Sequence, residues 1–207
     1  MFTINKRIAR VGMVLAVAAM AGCSSPPTYP PAPTQTGSYD WNYLVGPGDS
    51  VQVFVWRNPE VSGSFPVRPD GKMTMNLVED IQASGKTPSQ LARDIEKALA
   101  KYIQEPIVTV IVAGGIGPFD QQIRVVGEAA KPQALNYREK MSLVDLMIAV
   151  GGLTDFAAGN KAYILRTVDG KQERLGVRLE DLLKGGDVSA NVAMRPGDVL
   201  VVPESLF

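Results

Sequence analysis

The stretch Tyr43-Leu44-Val45-Gly46-Pro47-Gly48-Asp49-Ser50-Val51-Gln52-Val53-Phe54-Val55-Trp56 decides how this chain is read. Gly46-Pro47-Gly48-Asp49 is a turn, built from the residue types that favour tight reversals. The β-branched residues after it alternate with other side chains at period two, which predicts a strand over residues 51–56. The same three letters recur near the other end, where Pro196-Gly197-Asp198 precedes an apolar run at residues 199–202. Pro-Gly-Asp alone is a weak turn signal. Its presence at both ends of the body points to similar strand openings framing the fold.

Outward from the first turn, residues 65–67 read as a second short strand. Pro69-Asp70-Gly71 is a hairpin turn signal, with residues 72–75 as the returning strand. Residues 87–102 carry the clearest helix pattern. Thr87 is placed to cap, Pro88 suits the first helical position, and Gln90 completes a capping box. Leu91, Ile95, Ala98, Leu99 and Tyr102 make one apolar stripe, with Arg93, Asp94, Glu96, Lys97 and Lys101 mostly opposite. Glu105-Pro106 ends the element, and residues 107–112 read as a buried strand. Gly114-Gly115-Ile116-Gly117-Pro118 is the natural boundary.

A second unit opens at Gln122, with Ile123, Val125 and Val126 on a strand. Ser142 caps a helix that Gly151-Gly152 closes. Leu143, Val144, Leu146, Met147, Ile148 and Val150 are apolar nearly all round, so this helix is expected to be deeply buried. Strands at residues 162–167 and 172–175 flank the turn Asp169-Gly170. A short helix over residues 178–184 and a last strand at residues 199–202 follow. One central helix against several short strands is a β-grasp-like pattern. The fold class is therefore α+β.

The N-terminus reads as an address rather than as fold. Lys6, Arg7 and Arg10 precede an apolar stretch, residues 11–21, that is too short to span a bilayer. Met20-Ala21-Gly22 then leads into Cys23, the chain's one cysteine. This resembles the lipobox of bacterial lipoproteins, with Met20 where Leu is more usual. It implies a lipidated Cys23 held at a lipid membrane, and Ser24 after it points to the outer membrane. An ordinary secretory leader cut nearby would instead leave Cys23 a free thiol. Residues 24–40, with Pro26, Pro27, Pro30, Pro31 and Pro33, are expected to be a polyproline-like tether with too little apolar content to pack. The divisions are thus residues 1–22 (leader), 23–40 (tether), 41–117 and 118–207 (two folded units).

Composition excludes much. The chain has 207 residues, 21 basic and 21 acidic side chains and no histidine. Imidazole catalysis, His metal sites and His triads are ruled out, and one cysteine allows no intrachain disulfide. Removing the 22-residue leader with its three basic residues leaves 185 residues of net charge −3. That balance offers no basic footprint for nucleic acid.

The remaining chemical signals are weak. Gly85-Lys86-Thr87 looks like the end of a phosphate loop, but Asp80 stands where that loop needs glycine; a helix start is the better reading. Glu79-Asp80 and Glu180-Asp181 are adjacent pairs, not the opposed carboxylates of a glycosidase. Asp49 and Asp198 are explained by turn capping. Tyr39, Trp41, Tyr43 and Trp56 suit core packing or subunit contact better than sugar stacking. No catalytic residue, metal ligand or cofactor site is expected.

In order, these pieces resemble the bacterial outer-membrane polysaccharide export proteins. The export-domain marks are residues 43–49, then Val67-Arg68-Pro69-Asp70-Gly71-Lys72, Gly85-Lys86-Thr87 with its helix, and Pro106-Ile107-Val108-Thr109-Val110. The second half resembles a soluble-ligand-binding β-grasp domain through Val126-Gly127-Glu128, Pro132, Gly151-Gly152-Leu153-Thr154 and Arg195-Pro196-Gly197-Asp198. Leu77-Val78-Glu79-Asp80, Ala157-Ala158-Gly159-Asn160 and residues 203–207 look like the branch found with exosortase (PEP-CTERM) clusters. The resemblance implies a lipid-anchored homo-oligomeric ring, facing the periplasm, that passes polysaccharide without catalysis. An inner-membrane polysaccharide co-polymerase is the implied partner. Some relatives add a C-terminal helix that forms an outer-membrane pore; since this sequence stops at Phe207, a separate outer-membrane pore protein is also expected. The competing readings are a saccharide- or protein-binding lipoprotein that forms no ring, and an envelope enzyme acting on polysaccharide.

Overall fold

A computed structural model describes residues 29–33 and 41–205. The leader, Cys23 and Tyr39 lie outside the described residues. Among the described residues, ten strands and three α-helices form two groups, each with its own apolar core.

In the first group, β1 (Ser50–Val55) is the middle strand of a three-stranded antiparallel sheet, between β2 (Gly63–Pro66) and β5 (Val108–Ala113). Its alternation works as the sequence implies: Val51, Val53 and Val55 are buried, while Gln52 and Phe54 face out. Helix α1 (Pro88–Leu99) starts at Thr87, whose side chain accepts from the Gln90 amide while the Gln90 side chain accepts from the Thr87 amide. This reciprocal bonding satisfies two donors that a helix start leaves open. Leu91, Ala92, Ile95 and Leu99 bury against Val45, Met73 and Val108.

Three expectations for this group need correction. The turn at Pro69-Asp70-Gly71 does not join β2 to its partner. β2 pairs with β1, and β3 (Lys72–Met75) pairs with a further strand, β4 (Val78–Gln82). Leu77 and Asp80 hold positive φ values of 68° and 51°, which interrupts the alternation by which β4 would be read. Helix α1 ends at Leu99, so Tyr102 leaves the stripe and is 62% exposed; Ile103 packs on the core instead. β5 is an edge strand rather than a buried one. Val108 is buried, whereas Ile111 is exposed, as is Ile107 just before the strand.

The second group is a five-stranded mixed sheet of order β7 (Ala134–Leu135), β6 (Ile123–Gly127), β10 (Val199–Val202), β8 (Tyr163–Val168), β9 (Lys171–Gly176). Its first and last strands, β6 and β10, lie parallel at the centre, and the other neighbours are antiparallel. Helix α2 (Leu143–Ala149) packs with the sheet's inner residues Ile123, Val125, Ile164 and Leu200. Helix α3 (Leu179–Leu183) contributes Leu179 and Leu182 to the same core. This is the β-grasp order. A Cβ on Gly127 would fall 2.0 Å from the Val202 carbonyl oxygen, so only glycine lets the two central strands finish so close together. The Ser142–Asp145 capping box forms. Helix α2 is not buried all round, however. Leu143, Leu146 and Met147 point inward, and Ile148 is 72% exposed.

The tether expectation also changes. Residues 29–33 lie along β9: Ala32 donates to the Gly176 carbonyl at 3.0 Å, and the Gly176 amide donates to the Pro30 carbonyl at 2.8 Å. Ala32 joins the second core at 6% exposure. The apolar content is small, but one buried methyl and two main-chain bonds suffice beside an open strand edge.

Leu146→Ala should lower stability by about 2–5 kcal/mol, because it opens a cavity in the second core. Ile148→Ser, on the same helix but outward, should change stability by less than about 0.5 kcal/mol. Equilibrium urea unfolding compares the two; equal losses would contradict this placement of α2.

Candidate functional site

The two Pro-Gly-Asp segments are the same object twice. In Gly46-Pro47-Gly48-Asp49 the Asp49 amide donates to the Gly46 carbonyl at 3.2 Å; in Arg195-Pro196-Gly197-Asp198 the Asp198 amide donates to Arg195 at 3.2 Å. Gly48 and Gly197 have φ of 89° and 82°. Pro followed by a left-handed glycine is the type II pattern. In both, the carboxylate reaches back to accept from the amide three residues earlier, at 2.8 Å. Both aspartates are buried, at 0% and 1% exposure. Each turn leads directly into the middle strand of its sheet, β1 or β10.

Their remaining partners differ. Asp49 is surrounded by neutral donors: the Ile116 amide at 2.7 Å, the Gly117 amide at 3.3 Å and the Tyr43 hydroxyl. Gly117 also donates to the Tyr43 oxygen at 3.0 Å. Burial and the adjoining carboxylate push the Tyr43 phenol well above its usual range, so it stays a donor. A Cβ on Gly46 would overlap the Gly117 carbonyl carbon at 2.0 Å. The glycine run at residues 114–118, read from sequence as a boundary, is therefore latched onto the first turn.

Asp198 instead takes a guanidinium. Arg166 Nε and Nη2 donate to its two oxygens at 2.9 and 2.7 Å, and Nη2 also reaches the Ala193 carbonyl at 3.1 Å. Arg166 is itself only 5% exposed. The Asp198 carbonyl accepts from the Arg124 amide at 3.0 Å, tying the turn to the start of β6. Turn capping is a correct but incomplete account of both aspartates. Arg166 carries no local motif, and its position on β8 is the only sequence clue to its role.

The other singled-out residues are occupied in simpler ways. Arg68 spans Asp70 and Asp80 at 2.5 and 2.8 Å, and this pairing holds the exposed Asp70 carboxyl down at about 2. Gly71 has φ of 79°, and Pro69 and Asp70 complete the turn before β3. Gly151 and Gly152 end α2 at φ of 81° and 88°. Lys86 pairs with Asp94 at 2.6 Å, Glu180 with Lys184 at 3.1 Å and Asp181 with Arg178 at 3.0 Å. Trp41 packs edge-on against Tyr43 and Tyr137, at 6.1 and 5.1 Å, and so stands between the two groups. Trp56 does not join it; it meets Phe54 at 6.4 Å on the outer face of the first sheet. With Ile107 and Ile111 this face carries four exposed large apolar side chains. A cleft of about 640 Å³ lies beside residues 29–32, floored by Ala162, Val177 and Val192 and rimmed by Lys161 and Arg178. Among the described residues no cluster of acidic or cysteine side chains suits a metal ion, and no helix is long and apolar enough to cross a membrane.

Two family models match the chain. One, described as polysaccharide biosynthesis/export protein, covers residues 38–113; the other, an SLBB domain, covers residues 122–184. The EPS I polysaccharide export outer membrane protein EpsA of Ralstonia nicotianae is 26% identical, over 78% of this chain and 47% of its own length. The polysialic acid transport protein KpsD of Escherichia coli is 23% identical, over 81% of this chain and 29% of its own. The chain thus spans less than half the length of these curated relatives.

Asp198→Asn should cost about 3–5 kcal/mol, since it leaves Arg166 a buried cation without its counter-charge. Adding Arg166→Met should return part of that loss. Tyr43→Phe should cost about 1 kcal/mol, the scale of one hydrogen bond. Urea unfolding of the three variants reads all of these values. A D198N chain as stable as the parent would show that the pair is not needed.

Proposed function

From the match of residues 38–113 to the polysaccharide biosynthesis/export model and of residues 122–184 to the SLBB model, we propose that this chain is a member of that export family and a non-catalytic export lipoprotein of the outer membrane. Lipid on Cys23 anchors it facing the periplasm, and identical subunits assemble into a ring through which exopolysaccharide or capsular polysaccharide passes. An inner-membrane co-polymerase feeds the polymer from the periplasmic side. The observation that carries this reading is the ordered pair of matched domains, export then SLBB, over most of the body.

The surface supports the ring. Phe54, Trp56, Ile107 and Ile111 are exposed on the first group, and Ile148 and Phe156 on the second. Exposed apolar side chains on both groups suit a heterologous, head-to-tail contact, which forms a ring when its rotation closes. Of the carboxylates that an enzyme reading would use, Asp80, Glu180 and Asp181 are held in ion pairs and Asp49 and Asp198 in turns. The cleft beside residues 29–32 favours the second reading, capture of a saccharide or protein without a ring.

Deleting the gene should trap polymer in the periplasm; normal secretion would remove the export reading. Electron microscopy of the detergent-extracted protein should show rings, whereas monomers would support capture. Trp56→Glu should abolish rings and leave the melting temperature of the subunit within a few degrees of the parent. Intact rings from that variant would move the contact away from this face.

A further inference from the structure

The proline-rich segment does specific work on β9. β9 is the outer strand of the second sheet, and its edge would otherwise show unpaired main-chain groups to solvent. Residues 29–33 add to it in the manner of strand augmentation. Pro30, Pro31 and Pro33 have no amide hydrogen, so the segment's free donors are few, and the Ala32 amide is spent on Gly176. Tyr29 supplies the side-chain grip. Its ring lies 5.0 Å from that of Tyr163, its hydroxyl accepts from Arg174 Nη1 at 3.0 Å, and the Arg174 guanidinium sits 5.6 Å from both rings.

We propose that residues 29–33 are a strap that fastens the membrane anchor to the β9 edge, so that the second unit, not the first, is held against the membrane. The argument is one of length and placement, and it rests on the lipid anchor at Cys23. Six peptide steps separate Cys23 from Tyr29, a reach of at most about 20 Å. A free proline-rich tether from Cys23 to Trp41 would span about 56 Å at 3.1 Å per residue. The first group meets the second at the opposite side of the sheet, where Trp41 packs on Tyr137 just past β7. Four strand spacings, about 19 Å in all, lie between β7 and β9. Docking the strap therefore orients the subunit: β9 toward the bilayer, the first group away from it.

The test uses the mature chain, residues 23–207, coupled through its only thiol to a maleimide lipid in phosphatidylcholine vesicles. A donor dye is attached through an azide-bearing residue at Lys171, and separately at Lys101, with acceptor dye on the lipid headgroups. Transfer from position 171 should exceed that from position 101 severalfold. Tyr29→Gly combined with Ala32→Glu should bring the two together. Hydrogen exchange supplies a second reading: the Gly176 amide should be protected in the parent and exchange freely in the double variant, with the Ile164 amide unchanged as a control for folding. Equal transfer from both positions in the parent, or a freely exchanging Gly176 amide, overturns the strap. Palmitate labelling in cells is scored separately. A Cys23 that takes no label overturns the anchor reading, while the vesicle result still decides whether the strap docks.

Discussion

A buried carboxylate that caps its own turn sets the frame for both halves of this molecule. An ionised aspartate removed from water is costly unless each oxygen finds donors. Asp49 and Asp198 meet that demand first through the amide three residues back, which closes the turn. The rest of the demand draws in distant chain: residues 116–117 and Tyr43 for one, Arg166 for the other. Because each turn opens the central strand of a sheet, its geometry fixes where that strand begins. In a sheet with one buried face, a shift of one residue would turn every apolar side chain outward.

The two solutions differ in kind, and the difference matters for rigidity. Neutral donors around Asp49 come mostly from backbone, so the glycine run at residues 114–118 is held by main-chain geometry and by the lack of a Cβ at Gly46. The Arg166–Asp198 pair is a two-bond fork between side chains. It locks β8 to the opening of β10 with the fixed geometry of a bidentate pair. One latch is steric, the other electrostatic.

How much of this was legible in the sequence follows from the range of each interaction. The Thr87–Gln90 capping box and the Ser142 cap were readable, because both are local patterns with local chemistry. The alternation of β1 and the β-grasp outline were readable for the same reason. β4 was not, since two left-handed residues disturb its period. The reach of the helix stripe to Tyr102 and the full burial of α2 were over-read, because hydrophobicity marks what could be buried rather than what finds a neighbour. Arg166, the Ile116 and Gly117 amides and the docking of Ala32 all depend on partners more than 30 residues away in sequence. No window along the chain contains both ends of such a contact.

The edges and faces of the sheets then bear on assembly. Strand edges invite open-ended pairing, and the prolines beside β9 disfavour it there by leaving few amides for a next strand. Side-chain faces behave differently. The row of Phe54, Trp56, Ile107 and Ile111 presents apolar area and aromatic rings with no main-chain demand. A contact made through such a face is fixed by shape, so its rotation is repeated identically from subunit to subunit, and it closes into a ring when that rotation divides a full turn. On the export reading, a chain that covers an edge with its own strap and leaves a face open is biased toward a closed ring around a passage and away from a fibre.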